Sequence, residues 1–455
     1  MQSTRLKLTA VAALAALSLA ACGSSSSIGK SASAAPSTAA PSSPGGSGAG
    51  GSQSATTSTI PSDTTPLRVP AIHGTISGPG VTASTITIGQ ITTTSGPVPG
   101  LFQGANDGLD AFASYVNSNG GLGGRRIKVI HEDDAFNCNT YTQELESLST
   151  KVFAVVGSYT LEDTCGKSVL TSDPSLLDIQ GVILDPSLYS LPNVFTPTPL
   201  PPGFITTGYQ WFKDKFPTAI TKTASLYAGT SVADAKEQEL TAESIGYKYV
   251  YTRALGPTDT NFTSDILRMK NEGVKLVDLT SDNVQTDATF VQEAAQQGFK
   301  PDAIFSSSAY DSHFLQLLGS TSANNVYAPL TYSLYLGQDR AAVPGLNTFL
   351  TALDKVKPGQ SADLFSVAAW GAGLLLADAM SRAGSSVTPA STIRAMSQIT
   401  SFDAGGLISP SNPAKQKPSI CMVIAGIRNG KWVRIQPSSG FECDGSFYPV
   451  STSKL

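Results

Sequence analysis

A strand, helix and strand pattern over residues 85–134 constrains the fold of this chain more than any other feature. Residues 86–91 alternate β-branched side chains with small or polar ones, which predicts a buried strand. A helix is predicted at 101–116, where apolar residues recur every three or four positions, and the glycines of 120–124 separate it from a second strand at 126–131. Parallel strands joined by a crossover helix indicate an α/β fold, in which ligands bind beyond the carboxyl ends of the strands.

The alternation of strands and helices continues along the chain, and a proline-rich interruption at 193–202 predicts a crossing into a second lobe. A return crossing is predicted at 327–337, before a long helix at 363–383 that is apolar on nearly all sides. We expect lobe 1 to comprise residues 81–198 and 336–415, and lobe 2 to comprise residues 199–335 and 416–450. Further strands are predicted at 152–157, 181–184, 223–227, 247–252, 274–279 and 303–305, with a hairpin at 419–435.

Residues 1–21 have the features of a secretory signal, because Arg5 and Lys7 precede an apolar run that is too short to span a membrane. The run ends in Leu-Ala-Ala-Cys22, which is similar to the lipobox of bacterial lipoproteins; an ordinary signal with a chance cysteine is the alternative. Residues 22–80 are rich in Ser, Gly, Ala, Thr and Pro, so a disordered tether is predicted there. We therefore expect an exported protein that is lipid-anchored through Cys22 to the outer face of the cell membrane.

The charge and the cysteines exclude one class of partner and predict two crosslinks. With 30 basic and 34 acidic side chains the formal net charge is -4, and the lack of a basic stripe argues against nucleic acid as a partner. Apart from Cys22 the chain has four cysteines, and an even number in an exported protein predicts two disulfides. We favour Cys138 with Cys165 and Cys421 with Cys443, since each pair closes a local loop. Metal binding is the alternative, but no C-x-x-C spacing supports it.

No arrangement of side chains in the sequence demands catalysis, so we expect a protein that is not an enzyme and needs no metal or cofactor. The three histidines, His73, His131 and His313, are scattered and form no metal-binding pair. Asp133 and Asp134 follow a predicted strand, where adjacent carboxylates more often hold a turn than act as an acid and a base.

Several stretches, in their order and spacing, resemble the type I periplasmic binding proteins, specifically the leucine/isoleucine/valine-binding family of ABC importers. The similar segments are ITIG at 86–89, SGP at 95–97, VNSNGGLGGRRI at 116–127, the acidic pair at 133–134 and DTNFTSDIL at 259–267. The resemblance covers about residues 85–431. It implies an α/β fold of two Rossmann-like lobes with parallel sheets joined by a multi-strand hinge, and in that family a disulfide joins the loops that correspond to Cys138 and Cys165.

The resemblance also implies a binding pocket between the lobes. In that family, Ser and Thr side chains and backbone amides of the first lobe hold the carboxylate of an amino acid, and an acid of the second lobe meets its amino group. The candidates in lobe 1 are Thr94, Ser95, Ser158, Tyr159, Thr160, Asp185, Ser187 and Tyr189. The candidates in lobe 2 are Tyr227, Asp282, Tyr310 and Asp311. Helix capping is the alternative role for Ser158 and Thr160, an ordinary rim position is the alternative for the tyrosines, and Trp370 is expected in the core.

Together these features predict a monomeric, lipid-anchored solute-binding protein of an ABC importer of the branched-chain amino acid type. Its two lobes would close on a small polar molecule, an amino acid or a related amide or acid, and the closed form would dock on a membrane permease. The alternative is a regulatory lipoprotein of the same fold that senses a ligand and signals to a membrane or cell-wall partner.

Overall fold

The computed structural model describes residues 59–256, 259–280 and 283–451, which belong to one compact unit. The signal segment, the lipidation site at Cys22 and the candidate acid Asp282 lie outside the described residues. The strands are β1 (Thr59–Ile60), β2 (Thr75–Ile76), β3 (Thr85–Thr92), β4 (Arg126–Asp133), β5 (Val155–Val156), β6 (Asp178–Ile179), β7 (Val194–Phe195), β8 (Gly203–Ile205), β9 (Thr223–Ala228), β10 (Tyr249–Leu255), β11 (Leu276–Thr280), β12 (Ala303–Phe305), β13 (Val326–Leu330), β14 (Ser386–Val387), β15 (Val423–Arg428), β16 (Lys431–Gln436), β17 (Phe441–Glu442) and β18 (Phe447–Pro449).

Helices alternate with these strands through most of the chain. They are α1 (Gln103–Ser118), α2 (Cys138–Ser149), α3 (Lys167–Ser172), α4 (Thr207–Lys215), α5 (Val232–Ser244), α6 (Thr263–Glu272), α7 (Val284–Gln296), α8 (Phe314–Leu318), α9 (Pro344–Val356), α10 (Leu364–Arg382) and α11 (Pro389–Met396). Short 3-10 turns are present at Asp163–Gly166, Pro186–Ser190, Ile220–Lys222 and Pro413–Lys415.

The first sheet has the strand order β4-β3-β5-β6-β7, and each neighbouring pair is parallel. In the longest pairing, β3 runs beside β4 from Thr85 opposite Arg126 to Thr92 opposite Asp133. Because all the strands point the same way, the loops that leave their carboxyl ends start from one edge of the sheet.

The second sheet has the order β10-β9-β11-β12-β13-β15-β16. Its pairs are parallel from β10 to β13, whereas β15 pairs antiparallel with β13 and β16 antiparallel with β15. Asn429 and Gly430 join β15 to β16 with φ values of 51° and 71°, the positive angles that a tight hairpin turn requires. The predicted α/β fold with mostly parallel sheets is confirmed, and so is the Asn-Gly hairpin.

Helix α10 forms the centre of the core on the first-sheet side. It is long and apolar enough to span a membrane by composition, but 78% of that stretch is buried inside the protein, as in a core helix. Trp370 is fully buried and packs against the rings of Phe112, Tyr115 and Phe349, as expected from the sequence. Asp363 begins the helix through a capping box with Ser366, which satisfies the first free backbone amides.

Some predicted boundaries are wrong, and backbone pairing explains why. The strand predicted at 181–184 lies earlier, at Asp178–Ile179, where its backbone pairs with both β5 and β7. The predicted return crossing at 327–337 begins too early, because Val326–Leu330 is a strand of the second sheet that pairs with β12 and β15.

The predicted tether also ends too late in the chain. Residues 59–80 are part of the described body: β1 pairs with β17, β2 pairs with β14, and Ile76 is 3% exposed. Their composition is poor in large apolar side chains, but backbone pairing with distant strands provides contacts that composition does not indicate.

Candidate functional site

The candidate site is built from two groups of loops. We call the loops after β3 to β6, together with the first turns of α1 and α10, the first wall. We call the loops after β9, β11 and β12, together with residues 331–340, the second wall. Both groups leave the carboxyl ends of parallel strands, where a rigid sheet can position polar groups for a ligand.

On the first wall, Asp133 holds the loop that contains Thr94 and Ser95. Its Oδ1 accepts hydrogen bonds from the amides of Thr94, Ser95 and Ala135 at 3.0, 3.3 and 3.0 Å. Partial burial raises the pKa of Asp133, but the hydrogen bonds from the Ser95 side chain and these amides outweigh it and lower the pKa to about 2. Asp133 therefore stays ionised and fixes the loop, which matches the turn-holding role expected for it.

The hydroxyls of Ser158 and Thr160 are both engaged within the protein. Ser158 is 1% exposed and its Oγ accepts the amide hydrogen of Ile91 at 3.1 Å. Thr160 is 2% exposed, donates to the carboxylate of buried Asp134, and lies 3.2 Å from the hydroxyl of Thr93. These contacts fasten the loop after β5 to β3 and to the loop after β4.

Asp185, Ser187 and Tyr189 lie farther along the first wall. The Oδ1 atom of Asp185 accepts the amide hydrogen of Ser187 at 2.7 Å, and its other oxygen accepts the hydroxyl of Thr164. Tyr189 accepts the amide hydrogen of Leu200 at 2.8 Å, which fixes the start of the chain crossing toward the second sheet. These side chains organise the edge of the site.

Three aromatic rings cluster on the first wall. Tyr159 lies 4.7 Å from Phe102 and 4.8 Å from Phe365 between ring centroids, and Phe102 and Phe365 are 5.0 Å apart. Tyr159 and Phe365 are only partly buried, so the cluster has an accessible face. Burial raises the pKa of Tyr159, and Tyr332 and Asp363 raise it further, which places both residues near its hydroxyl.

Tyr310 and Asp311 lie together on the second wall, beside a groove of about 500 Å³. The Tyr310 ring is 5.0 Å from that of Tyr335 and 5.3 Å from that of Trp432, and Tyr335 donates a hydrogen bond to the Tyr310 carbonyl oxygen at 2.9 Å. Asp311, Tyr335 and Trp432 line the groove together with residues 360–362, which lie directly before α10. The groove therefore borders the second wall and the segment that leads into the first turn of α10.

A second, smaller pocket of about 40 Å³ borders the second wall, and sequence reasoning missed its polar residues. Asp278, which is 3% exposed, accepts hydrogen bonds from the hydroxyls of Tyr209 and Tyr249 at 3.1 and 3.3 Å. Gln238 and Ser306 line the same pocket. Tyr227 lies at the carboxyl end of neighbouring β9, half-buried, but does not line this pocket.

The pKa values of Asp363 on the first wall and of Tyr335 on the second each include a contribution from a side chain of the other wall. Burial is the largest cause of the raised pKa of Asp363; the hydrogen bonds from Ser366 lower it, and Asp311 on the opposite wall raises it. Burial also raises the pKa of Tyr335, and Asp363 contributes to that rise across the same gap.

Of the predicted residues, Tyr159 lies in the aromatic cluster of the first wall and Asp311 lines the groove beside the second wall. Thr94, Ser95, Asp185, Ser187 and Tyr189 lie on the first-wall loops, while the hydroxyls of Ser158 and Thr160 are turned to internal partners. Phe102, Asp363 and Phe365 were not predicted, because helix starts gave no local signal that they meet Tyr159. Asp278 was passed over because it lies within a strand rather than after one.

Both favoured disulfides are present. Cys138 pairs with Cys165 over a Cα distance of 5.4 Å, and Cys421 pairs with Cys443 over 4.1 Å. Among the described residues, the group of potential metal ligands that comes together is Cys138, Glu162 and Cys165. Two of these three are joined in a disulfide, so their sulfurs are not thiolate ligands.

A model of the family described as "Periplasmic binding protein" matches residues 85–431 of this chain. Among curated proteins, Leu/Ile/Val-binding protein homolog 7 of Brucella melitensis biotype 1 is 24% identical over 252 residues, covering 51% of this chain and 61% of that protein. The same homolog of Brucella abortus is 25% identical over 246 residues, which cover 50% of this chain and 60% of that protein. This chain therefore spans about six-tenths of the length of these relatives.

Solved structures with the same fold cover most of this chain. A fatty acid ABC transporter substrate-binding protein from Thermomonospora curvata aligns with a TM-score of 0.63 and 21% identity, covering 80% of this chain and 94% of its own. LivJ from Streptococcus pneumoniae in complex with isoleucine aligns with a TM-score of 0.60 and 19% identity, and the alignment covers 78% of this chain and 100% of LivJ. A solute binding protein from R. palustris in complex with benzoate aligns with a TM-score of 0.62 and 17% identity, and the alignment covers 81% of this chain and 98% of that protein.

Proposed function

Because the chain belongs to the periplasmic binding protein family, we propose that it binds a small solute between its first and second walls. One observation carries this proposal: a groove of about 500 Å³ is lined by Asp311 and Tyr335 of the second wall and by residues 360–362, which lead into the first turn of α10. A solute held there contacts both walls at once, so it favours the arrangement in which they are close. Binding of this kind needs no chemical change in the solute.

We infer that the solute is a small acid, amide or amino acid with an apolar part. The cluster of Phe102, Tyr159 and Phe365 offers an aromatic surface for that part. Leu161 and Leu184 are further apolar side chains of the first-wall loops, with exposed fractions of 45% and 44%. Isoleucine and benzoate, present in two of the solved structures of this fold, both combine a carboxylate with an apolar group.

For the polar part, we propose Thr94 and Ser95 on the first wall and Asp311 on the second, together with Asp278 in the adjoining pocket. Thr94 and Ser95 are on a loop that Asp133 already holds in place, so their side chains can meet a ligand without a large ordering cost. Asp278 is a buried acid that lines this pocket. An amino group of the ligand would donate a charge-assisted hydrogen bond to such a carboxylate.

We further propose that the protein is held at the outer face of the cell membrane by a lipid on Cys22 and delivers its solute to an ABC permease. The leader that precedes Cys22 supports the first part, and family membership supports the second. Detergent phase partition of the expressed full chain tests the anchor: the native protein should enter the detergent phase and Cys22→Ser should remain in the aqueous phase. Equal partition of the two would contradict it.

A thermal-shift screen tests the binding proposal. Isoleucine, benzoate, 4-hydroxybenzoate, a medium-chain fatty acid and a panel of amides and sugars are added separately to the purified protein. We expect at least one acid or amide to raise the Tm, because a ligand that binds only the folded state stabilises it. A panel in which only sugars, or no solute, raised the Tm would contradict the inferred ligand class.

A further inference from the structure

Residues 59–76, which we call the strap, lie outside the segment that matches the family model, since that match begins at residue 85. The strap nevertheless contacts the body at three separate places along its length. These contacts join the second-sheet side of the protein to the first-sheet side by a segment that is separate in sequence from the chain crossings between the sheets.

At its start, the strap is fixed to the segment around β17. Thr59 pairs with Glu442 and Ile60 with Phe441 in an antiparallel ladder, and the amide of Gly440 donates to the hydroxyl of Ser62 at 2.8 Å. The approach is so close that a Cβ on Gly440 would lie 1.9 Å from the Ile60 carbonyl oxygen. Only glycine fits at this contact.

The segment around β17 is in turn fixed to the second sheet. Glu442 and Met422 exchange two backbone hydrogen bonds of 2.8 Å directly before β15, and the disulfide from Cys443 to Cys421 joins the same two segments. Arg434 of β16 donates to the carbonyl oxygen of Gly440 at 2.8 Å. The first end of the strap is therefore anchored on the second-sheet side.

In its middle, the strap crosses the loop at 403–406, which leads back toward the second sheet. A Cβ on Gly405 would lie 3.1 Å from the Leu67 side chain, and one on Gly406 would lie 3.1 Å from the Asp63 Cβ. These distances leave no room for a layer of water between the strap and the loop.

The far end of the strap is fixed to the first-sheet side. Tyr115 of α1 donates a hydrogen bond to the Leu67 carbonyl oxygen at 2.9 Å. Beyond it, β2 pairs in parallel with β14, and the amide of Thr75 donates to Ser385 at 2.9 Å. Ile76 is buried in the core cluster that also contains Phe112.

We propose that the strap is a ligament that restrains rotation of the first-sheet side against the second-sheet side. A covalent segment fixed at both ends limits how far its two anchors can move apart, and the contacts at 403–406 hold it along the path between them. The restraint concerns the motion and not the ligand, so its test needs no solute and is independent of the proposed binding function.

The test cuts the strap in the folded full chain. Thr64, Thr65 and Pro66 are exposed, so a recognition sequence for a specific protease can replace them. The control carries the same sequence in the Gly/Ser-rich stretch at 44–51, where cleavage leaves the strap whole. Spin labels on Lys128→Cys and Asn271→Cys, exposed positions on β4 and α6, report the distance between the two sides by pulsed electron resonance.

We expect cleavage within the strap to widen the distance distribution and shift it to longer values, while cleavage of the control leaves it unchanged. A lower Tm with an unchanged distribution would overturn the proposal, because it would show a stabilising segment without control of the motion. If the cleaved chain unfolds, Gly440→Ala in the uncut chain takes its place, since its added Cβ would lie 1.9 Å from the Ile60 carbonyl oxygen and displace the first end of the strap. A wider distribution in this variant supports the ligament, and an unchanged one overturns it.

Discussion

The hydroxyl of Tyr209 lies 3.1 Å from Oδ2 of Asp278 and donates a hydrogen bond to it. Tyr249 donates to the same oxygen at 3.3 Å, so two hydroxyls from α4 and β10 converge on one buried carboxylate of β11. Burial raises the pKa of Tyr209, and the charge of Asp278 raises it further, which keeps this hydroxyl a proton donor. The pocket therefore presents a preorganised acid beside the second wall.

Replacing this acid should weaken solute binding. Asp278→Asn keeps the shape of the side chain but removes its charge, and we expect a loss of about 1–3 kcal/mol in binding free energy, as when a buried polar partner is left unsatisfied. Calorimetric titration with the best solute of the thermal-shift screen measures it. Asp302→Asn, an exposed position just before β12, is the control and should bind like the native protein. Equal affinities for both variants would remove Asp278 from the site.

The aromatic cluster of the first wall should contribute through the ring of Tyr159 and not through its hydroxyl. Tyr159→Ala removes contacts with Phe102 and Phe365 and should weaken binding of the best solute of the thermal-shift screen by about 1–3 kcal/mol, the value of burying such a side chain. Tyr159→Phe keeps the ring and should retain most of the affinity. The assignment fails if the Ala variant binds normally, or if the Phe variant loses as much as the Ala variant.

The packing of α1 on α10 should tolerate no side chain at Gly108. An added Cβ would lie 2.1 Å from the backbone oxygen of Ser366, so Gly108→Ala should lower the free energy of unfolding by about 1–3 kcal/mol. A Cβ added to Gly371 of α10 would lie 3.5 Å from its nearest neighbour, Pro197, which is an ordinary contact distance. Gly371→Ala should therefore be neutral or stabilising by up to ~1 kcal/mol. Urea denaturation compares the two, and equal effects would contradict the close helix contact.

Stability should fall as the pH rises through the range set by Asp178. This side chain is fully buried; burial raises its pKa from 3.8 to about 7, with Gln180 lowering it and Asp163 raising it. Between these values the folded state holds a proton that the unfolded state has lost, so the free energy of unfolding declines as the pH rises from about 4 to 7. The side chain introduced by Asp178→Asn cannot ionise, so this variant should show a smaller change of the free energy of unfolding with pH in urea titrations. Asp302→Asn, at an exposed position, should keep the native pH dependence. A native slope in the Asp178 variant would show that this proton is not held.

Periodicity predicted much of the fold because long elements carry their own signal. The helix predicted at 363–383 is Leu364–Arg382, and the strand predicted at 303–305 has the bounds Ala303–Phe305. The strand Asp178–Ile179 was misplaced because its two residues are defined by pairing with β5 and β7, which lie elsewhere in the sequence. Residues 59–80 were assigned to the tether for the same reason.

The candidate site was less predictable than the fold. The loops after the strands could be located, but the partners of their side chains could not. The sequence predicts Ser158 in a loop with its hydroxyl available to a ligand. In the structure this hydroxyl accepts a hydrogen bond from the amide of Ile91, 67 residues away in sequence. Asp278 depends on Tyr209, 69 residues away, so no local pattern distinguishes it from an ordinary polar residue in a strand.

The most direct test of the central claim measures whether a solute brings the two sides together. Spin labels at Lys128→Cys and Asn271→Cys, with the strap intact, give the distance between the first and second sheets with and without the best solute of the screen. We expect a narrower distribution at shorter distance when the solute is bound. A solute that binds with calorimetric saturation but leaves the distribution unchanged would contradict capture between the two walls.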